Sequence, residues 1–145
     1  MFWSDEGFGG GTAMKVIYQL FVCGIPKAQP RHRTATNGHV YNPNSANAWK
    51  EEIRLSFRSC KRPTITGAVR LTVSFHLPKP KSMKEEERNI PHTKKPDTDN
   101  LLKALMDALT EEKIWADDAQ VYDTHAGKYY AARKTGAQVI IEADF

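Results

Sequence analysis

Cysteine is nearly missing from this chain. Of 145 residues only Cys23 and Cys60 carry thiols, with no Cys-x-x-Cys spacing and no histidines placed to share a zinc ion. Two thiols cannot staple a domain of this size, which excludes a disulfide-framed secreted scaffold and makes a reduced, cytoplasmic protein the expectation. Long apolar runs are missing too. The longest, around Val16 to Ile25 and Val139 to Ile141, are strand-sized, well short of the roughly 20 residues a membrane span needs, so no membrane helix is expected. The five histidines (His32, His39, His76, His92 and His125) form no His-x-x-x-His or similar group, and each reads as structural or as a minor phosphate contact. Met1 to Thr12 carries Asp5 and Glu6, no basic start and a Gly9-Gly10-Gly11 run, so it lacks the order of a secretory signal. Residues 1–14 are expected to be a flexible leader, with Met14 opening the body of the fold. No internal repeat is found.

What is present suffices for one domain, residues 15–145. Apolar residues make up 40% and charged residues 26% of the chain, enough for a single core and unlike a disordered composition. The net charge of +4 is modest, but its layout is uneven. From Asp97 to Asp123 there are eight acids against two bases, a local balance of −6, so the remainder carries +10. Gly24 to Lys50 holds Lys27, Arg31, Arg33 and Lys50 with no acid, and Pro78 to Pro96 holds six bases against Glu85, Glu86 and Glu87. Such stretches suit phosphate contacts. An acidic island would repel a polyanion unless a bound cation reversed the local sign. The combination points to a metal-dependent enzyme acting on nucleic acid.

Alternation of β-branched and aromatic residues predicts a strand over Lys15 to Cys23, closed by Gly24. The following loop is basic and proline-braced, and Asn37-Gly38 carries the turn signal of a short hairpin. Asn44 to Ser59 reads as the first helix, with Asn44 or Ser45 as its cap, and Ala68 to Leu77 as a half-buried strand. Pro78 to Pro96, with four prolines, is expected to be a mobile basic loop that orders on a charged partner. A second helix starts at Asp97 to Asp99 and runs to about Lys113 on a stripe of Leu101, Leu102, Leu105, Met106 and Leu109. Trp115 to Asp118 makes a turn. Ala119 to His125 and Lys128 to Ala132 read as short strands broken at Gly127, and Gln138 to Ala143 as the last strand. The expected fold is α+β, a small mixed sheet with two main helices.

The candidate chemistry lies in Asp97-Thr98-Asp99 and Asp117-Asp118. Two carboxylates two residues apart share a side only if the entry to the helix is extended, because on the helix they would stand about 200° apart. Lys103 is four residues past Asp99, and Asp107 four past Lys103, so the three line one stripe opposite the leucines. If Asp117-Asp118 folds back to meet the first pair, like charges about 4 Å apart repel by roughly 4 kcal/mol at a protein-surface dielectric and require protons or a divalent cation. Magnesium takes oxygen ligands, one or two carboxylates plus a substrate phosphate, and suits such a cluster. The same residues also read as an N-cap, an exposed helix pair and a turn, and spacing alone leaves both readings open. Trp49 and Trp115 read as core residues rather than as platforms for bases.

The stretch Asp97-Thr98-Asp99-Asn100-Leu101-Leu102-Lys103, then Asp107-Ala108-Leu109, then Trp115-Ala116-Asp117-Asp118-Ala119-Gln120-Val121 resembles the signature of the RusA family of Holliday-junction resolvases. Gly24-Ile25-Pro26-Lys27 with Pro30-Arg31 and Tyr41-Asn42-Pro43 resembles the N-terminal pattern of its phage-type members. The resemblance implies a bacterial or phage-encoded α/β homodimer that binds four-way DNA junctions and, with magnesium (manganese substituting), nicks two opposed strands. By position it implies metal-binding and catalytic carboxylates at Asp97, Asp99 and Asp118 and a catalytic lysine at Lys103. The expected DNA contacts are Lys27, Arg31, Arg33, Lys79, Lys81, Lys94 and Lys95. The Gly-rich leader and the long Pro78 to Lys95 segment depart from better-known members. Two other readings remain at this level: a non-catalytic module for structured nucleic acid, and a nuclease of forks or flaps.

Overall fold

A computed structural model of the chain describes residues 14–29, 46–83 and 90–144. Its elements are β1 (Lys15–Cys23), α1 (Ala46–Arg58), β2 (Val69–Leu77), β3 (Ile90–Pro91), α2 (Thr98–Glu111), β4 (Val121–Tyr130) and β5 (Gly136–Ala143), with a 3₁₀ turn at Asp118–Gln120. The five strands form one mixed sheet in the order β1-β5-β2-β4-β3. Only β2 and β4 pair in parallel; the other neighbours are antiparallel. This is the expected α+β domain.

The parallel pair dictates the rest of the architecture. Parallel neighbours need a crossover long enough to return the chain to its starting end, and α2 is that crossover. The alternation of β2 puts Val69, Leu71, Val73, Phe75 and Leu77 inward and leaves Arg70, Thr72, Ser74 and His76 half-buried on the other face. The inward row meets Trp49, Ile53 and Phe57 of α1 and Leu101, Leu105 and Leu109 of α2 in a single core that Trp115 completes. Trp49 and Trp115 are both buried, as the sequence predicts. Helices α1 and α2 are also tied by charge: Arg58 and Lys61 hold the buried Glu112, and Lys50 and Arg54 hold Glu111. Lys113 takes a left-handed φ of 65° directly beyond α2, which stops the helix short of it.

Several elements differ from the sequence reading. The two short strands expected around Gly127 are one continuous strand, β4, paired with β2 along its length. Gly127 does not break it. A Cβ there would stand 2.8 Å from the Tyr129 hydroxyl, so the glycine makes room for a ring folded back over the strand. Ala131 and Ala132 fall outside the strand, and β5 begins two residues earlier than expected. Within 78–96, Ile90–Pro91 adds an edge strand to β4, and His92 is buried against the Tyr130 ring, 4.5 Å between centroids. The end of that segment is therefore built into the sheet rather than a loop. Glu85 to Glu87, the leader through Ala13, the Asn37-Gly38 hairpin, Tyr41 to Pro43 and the caps Asn44 and Ser45 lie outside the described residues.

Candidate active site

Strand directions gather most of the candidate residues at one end of the sheet. β1 is antiparallel to β5, β5 to β2, and β2 is parallel to β4, so β1, β2 and β4 all finish at the same end. The N-terminus of α2 is at that end as well, because the Lys128 ammonium near the end of β4 donates to the carbonyls of Lys94 and Pro96 just ahead of the helix. The loop leaving β1 docks there too: the Gln29 N–H donates to the Asn100 carbonyl at 3.1 Å. Lys27 on that loop, Lys79 and Lys81 beyond β2, and Lys94 and Lys95 ahead of α2 thus share an end with Asp97 and Asp99. Arg31 and Arg33 lie outside the described residues.

At the head of α2, Asp97 is the N-cap residue with extended backbone (φ −73°, ψ 149°), yet its carboxylate accepts no capping bond. An N-cap aspartate normally spends its side chain on the free N–H groups of the first turn; this one is left for another partner. Asp99, exposed in the first turn, accepts among the described residues only from the Asn100 N–H at 3.0 Å. Lys103 is exposed one turn further along and has no ion pair among the described residues. The helix N-terminus favours this acidic pair electrostatically. Two exposed carboxylates, with no cationic partner among the described residues, are oxygen donors of the kind magnesium takes.

Asp118 is at the other end. From Thr98 to Glu111 the helix covers 14 residues, about 21 Å at 1.5 Å per residue. Only then does the chain turn, where the Trp115 indole N–H donates to Thr110 Oγ1 at 2.7 Å and Ile65 pairs with Trp115. Asp118 follows, exposed, before β4 sets off back towards the head of α2. Gln120 fixes its turn. Its side-chain oxygen accepts from the N–H groups of Ala116 (2.8 Å) and Asp117 (2.9 Å), and its amide donates to the carbonyls of Ile65 and Gly67, both at 2.9 Å. Asp117 is spent as the cap, accepting from the Ala119 N–H at 2.9 Å. Asp118 is left without a partner among the described residues. The structure thus puts Asp97 and Asp99 at the head of α2 and Asp118 beyond the far end of the helix. Among the described residues no three His, Cys, Asp or Glu side chains stand close enough to hold a metal ion.

The oxygen donors fit a divalent cation in kind, and within one chain they do not close around it. Sequence reasoning missed two residues that shape this region. Gln120 had a readable signal, since Asp117-x-x-Gln120 has the spacing of a capping box. Lys128 had none, because its bonds to Lys94 and Pro96 depend on the strand order. His92, beside it, is held below the ordinary imidazole range by burial first and by the Lys128 charge second.

Two comparisons bear on this arrangement. A family model described as Endodeoxyribonuclease RusA matches residues 24–142. An uncharacterized protein of Bacillus subtilis strain 168, YqaN, is 35% identical over 122 residues, which span 76% of this chain and 85% of that protein.

Proposed function

The chain belongs to the RusA family of endodeoxyribonucleases, and from that premise we propose that it is a magnesium-dependent homodimer that resolves four-way DNA junctions by paired nicks in recombination or repair. The observation that carries this reading is the head of α2: two exposed carboxylates, Asp97 with no capping bond and Asp99 accepting from the neighbouring Asn100 N–H, at the end of the sheet towards which the chain segments of five candidate lysines run. An acidic pair at the same end of the sheet as several bases suits a phosphate and a cation together.

The distance along α2 shapes the mechanism. Acids at the two ends of one helix cannot ligate one ion, whose oxygens stand about 2.0–2.1 Å away for magnesium. A two-fold dimer removes the difficulty, because an isologous contact that sets the head of α2 against a second copy's 3₁₀ turn does so twice. Asp97 and Asp99 of one protomer and Asp118 of the other then form each site, giving two sites for two strands. Bound there, magnesium or manganese supplies an activated water and neutralises the departing oxygen. Lys103, without an ion pair among the described residues and one turn from Asp99, faces charge building on the phosphate. Lys27, Arg31, Arg33, Lys79, Lys81, Lys94 and Lys95 hold the backbone of the junction arms. The two free, exposed cysteines fit a bacterial or phage-encoded protein working in a reducing cytoplasm.

The test is a labelled four-way junction incubated with and without magnesium, beside linear duplex, fork and flap substrates. The junction is cut in opposed strands only with the metal. Asp99→Asn and Asp118→Asn each abolish cutting and keep junction binding. Full activity in either variant removes that residue from the site, and preference for a fork or flap removes the junction as substrate.

A further inference from the structure

Lys128 engages the chain that delivers Asp97 at three points. Its backbone carbonyl accepts from the His92 N–H at 3.1 Å, and its ammonium donates to the Lys94 carbonyl and, at 2.6 Å, to the Pro96 carbonyl. It lies on β4 opposite Phe75, whose side chain is buried on the helix-covered face, so the lysine projects to the side where α2 begins. No carboxylate pairs with it among the described residues. An ammonium has three donors and no acceptor, and here two donors are spent on backbone oxygens two residues apart. That is a clamp on a loop rather than a surface charge awaiting phosphate.

Asp97 needs such a clamp. Its carboxylate makes no capping bond, and no hydrogen bond or ion pair among the described residues fixes where it points. Its place is set by the backbone that leads into it, residues 92 to 96, and that backbone is tied to the sheet through Lys128 and the two-residue β3. We propose that Lys128 is a positioning residue for the metal site: it holds the entry to α2 so that Asp97 and Asp99 present their oxygens together. This rests on the functional reading above, but concerns a residue that touches neither metal nor DNA. Groups that orient metal ligands from behind cost about 10- to 100-fold in metal affinity when removed.

The test uses the full chain with Lys128→Met, which keeps the stem and removes every donor, and Lys128→Arg, which restores donors. Manganese binding without DNA is measured by calorimetry, amide hydrogen exchange by mass spectrometry, and junction binding in EDTA by gel shift. Lys128→Met should bind manganese about 10- to 100-fold more weakly, exchange faster over residues 92–99 alone, and bind the junction as the wild type does. Lys128→Arg should recover part of the manganese affinity. Unchanged manganese affinity in Lys128→Met overturns the proposal. So does lost junction binding with manganese affinity intact, the mark of a phosphate contact, and so does faster exchange across the whole sheet, the mark of a general stabilising role. A wild-type chain that takes up no manganese defeats the functional reading instead, and the exchange pattern alone then decides whether the clamp exists.

Discussion

Replacing Gln120 by methionine keeps the length of the side chain and removes all four of its hydrogen bonds. A hydrogen bond contributes about 0.5–1.5 kcal/mol net, and a buried group left without a partner costs about 1–3 kcal/mol. The four do not count equally. Ala116 and Asp117 are exposed, so their N–H groups find water when the acceptor goes, whereas the carbonyls of Ile65, itself buried, and Gly67 are less accessible. The expected loss is therefore about 2–3 kcal/mol, below the sum of four full bonds. At about 3–4 °C per kcal/mol for a chain of this length, Tm falls by about 6–12 °C. Gln120→Glu is the control. It keeps an acceptor for Ala116 and Asp117 but turns a second oxygen towards the two carbonyls, so at neutral pH it is expected to be at least as unstable as the methionine variant. Urea melts of the three proteins give the comparison directly. A glutamate variant as stable as the wild type would refute the assignment of the amide nitrogen to Ile65 and Gly67, and with it the account of how the Asp118 turn is held.

Glu112 predicts a pH dependence. The Arg58 guanidinium, donating to it at 2.8 and 3.1 Å, holds its carboxyl below the ordinary carboxylate range. The unfolded chain therefore takes up its proton at higher pH than the folded one, so this stabilisation is complete above the unfolded value, about 4.3, and is lost as pH falls through the lower folded value. Urea melts should show Glu112→Gln less stable than wild type at pH 7, with the gap closing towards pH 3; a gap that is constant with pH would contradict the pairing. Gly136→Ala should be severely destabilised, since φ is 150° and the new Cβ would stand 2.2 Å from the Val22 carbonyl and 2.5 Å from the Phe21 ring; the expected loss exceeds about 2 kcal/mol by thermal melt, from overpacking and backbone strain together. A Gly136→Ala protein that melts with the wild type would mean that β1 and β5 do not approach as described.

How much of this was legible in the sequence depends on how local each cause is. β1, β2 and α2 were readable because alternation and the leucine stripe are written in consecutive residues. The acidic pair, Lys103 and the Asp117-Asp118 turn were readable for the same reason. Gly127 misled because a glycine in a strand also signals a break, and the Tyr129 ring that explains it lies across the strand surface. β3 was missed because two residues carry no periodicity. The separation of Asp118 from Asp97 follows from the parallel pairing of β2 with β4, which makes α2 a crossover with its ends at opposite ends of the sheet. No spacing between the aspartates encodes that. Lys128 depends on the same pairing, so its grip on the Asp97 entry became visible only with the strand order.

Subunit mixing tests the shared site most directly. One preparation carries Asp97→Asn with Asp99→Asn, the other carries Asp118→Asn, and each alone is expected to be inactive on the junction. After exchange of protomers, a mixed dimer built as proposed has one site with every carboxylate replaced and one with every carboxylate intact. Half of randomly paired dimers are mixed and each has one working site, so nicking should return to about a quarter of the wild-type rate, as single-strand nicks rather than paired ones. If the mixture stays inactive while protomer exchange is verified, each site lies within one chain and the shared-site account is wrong.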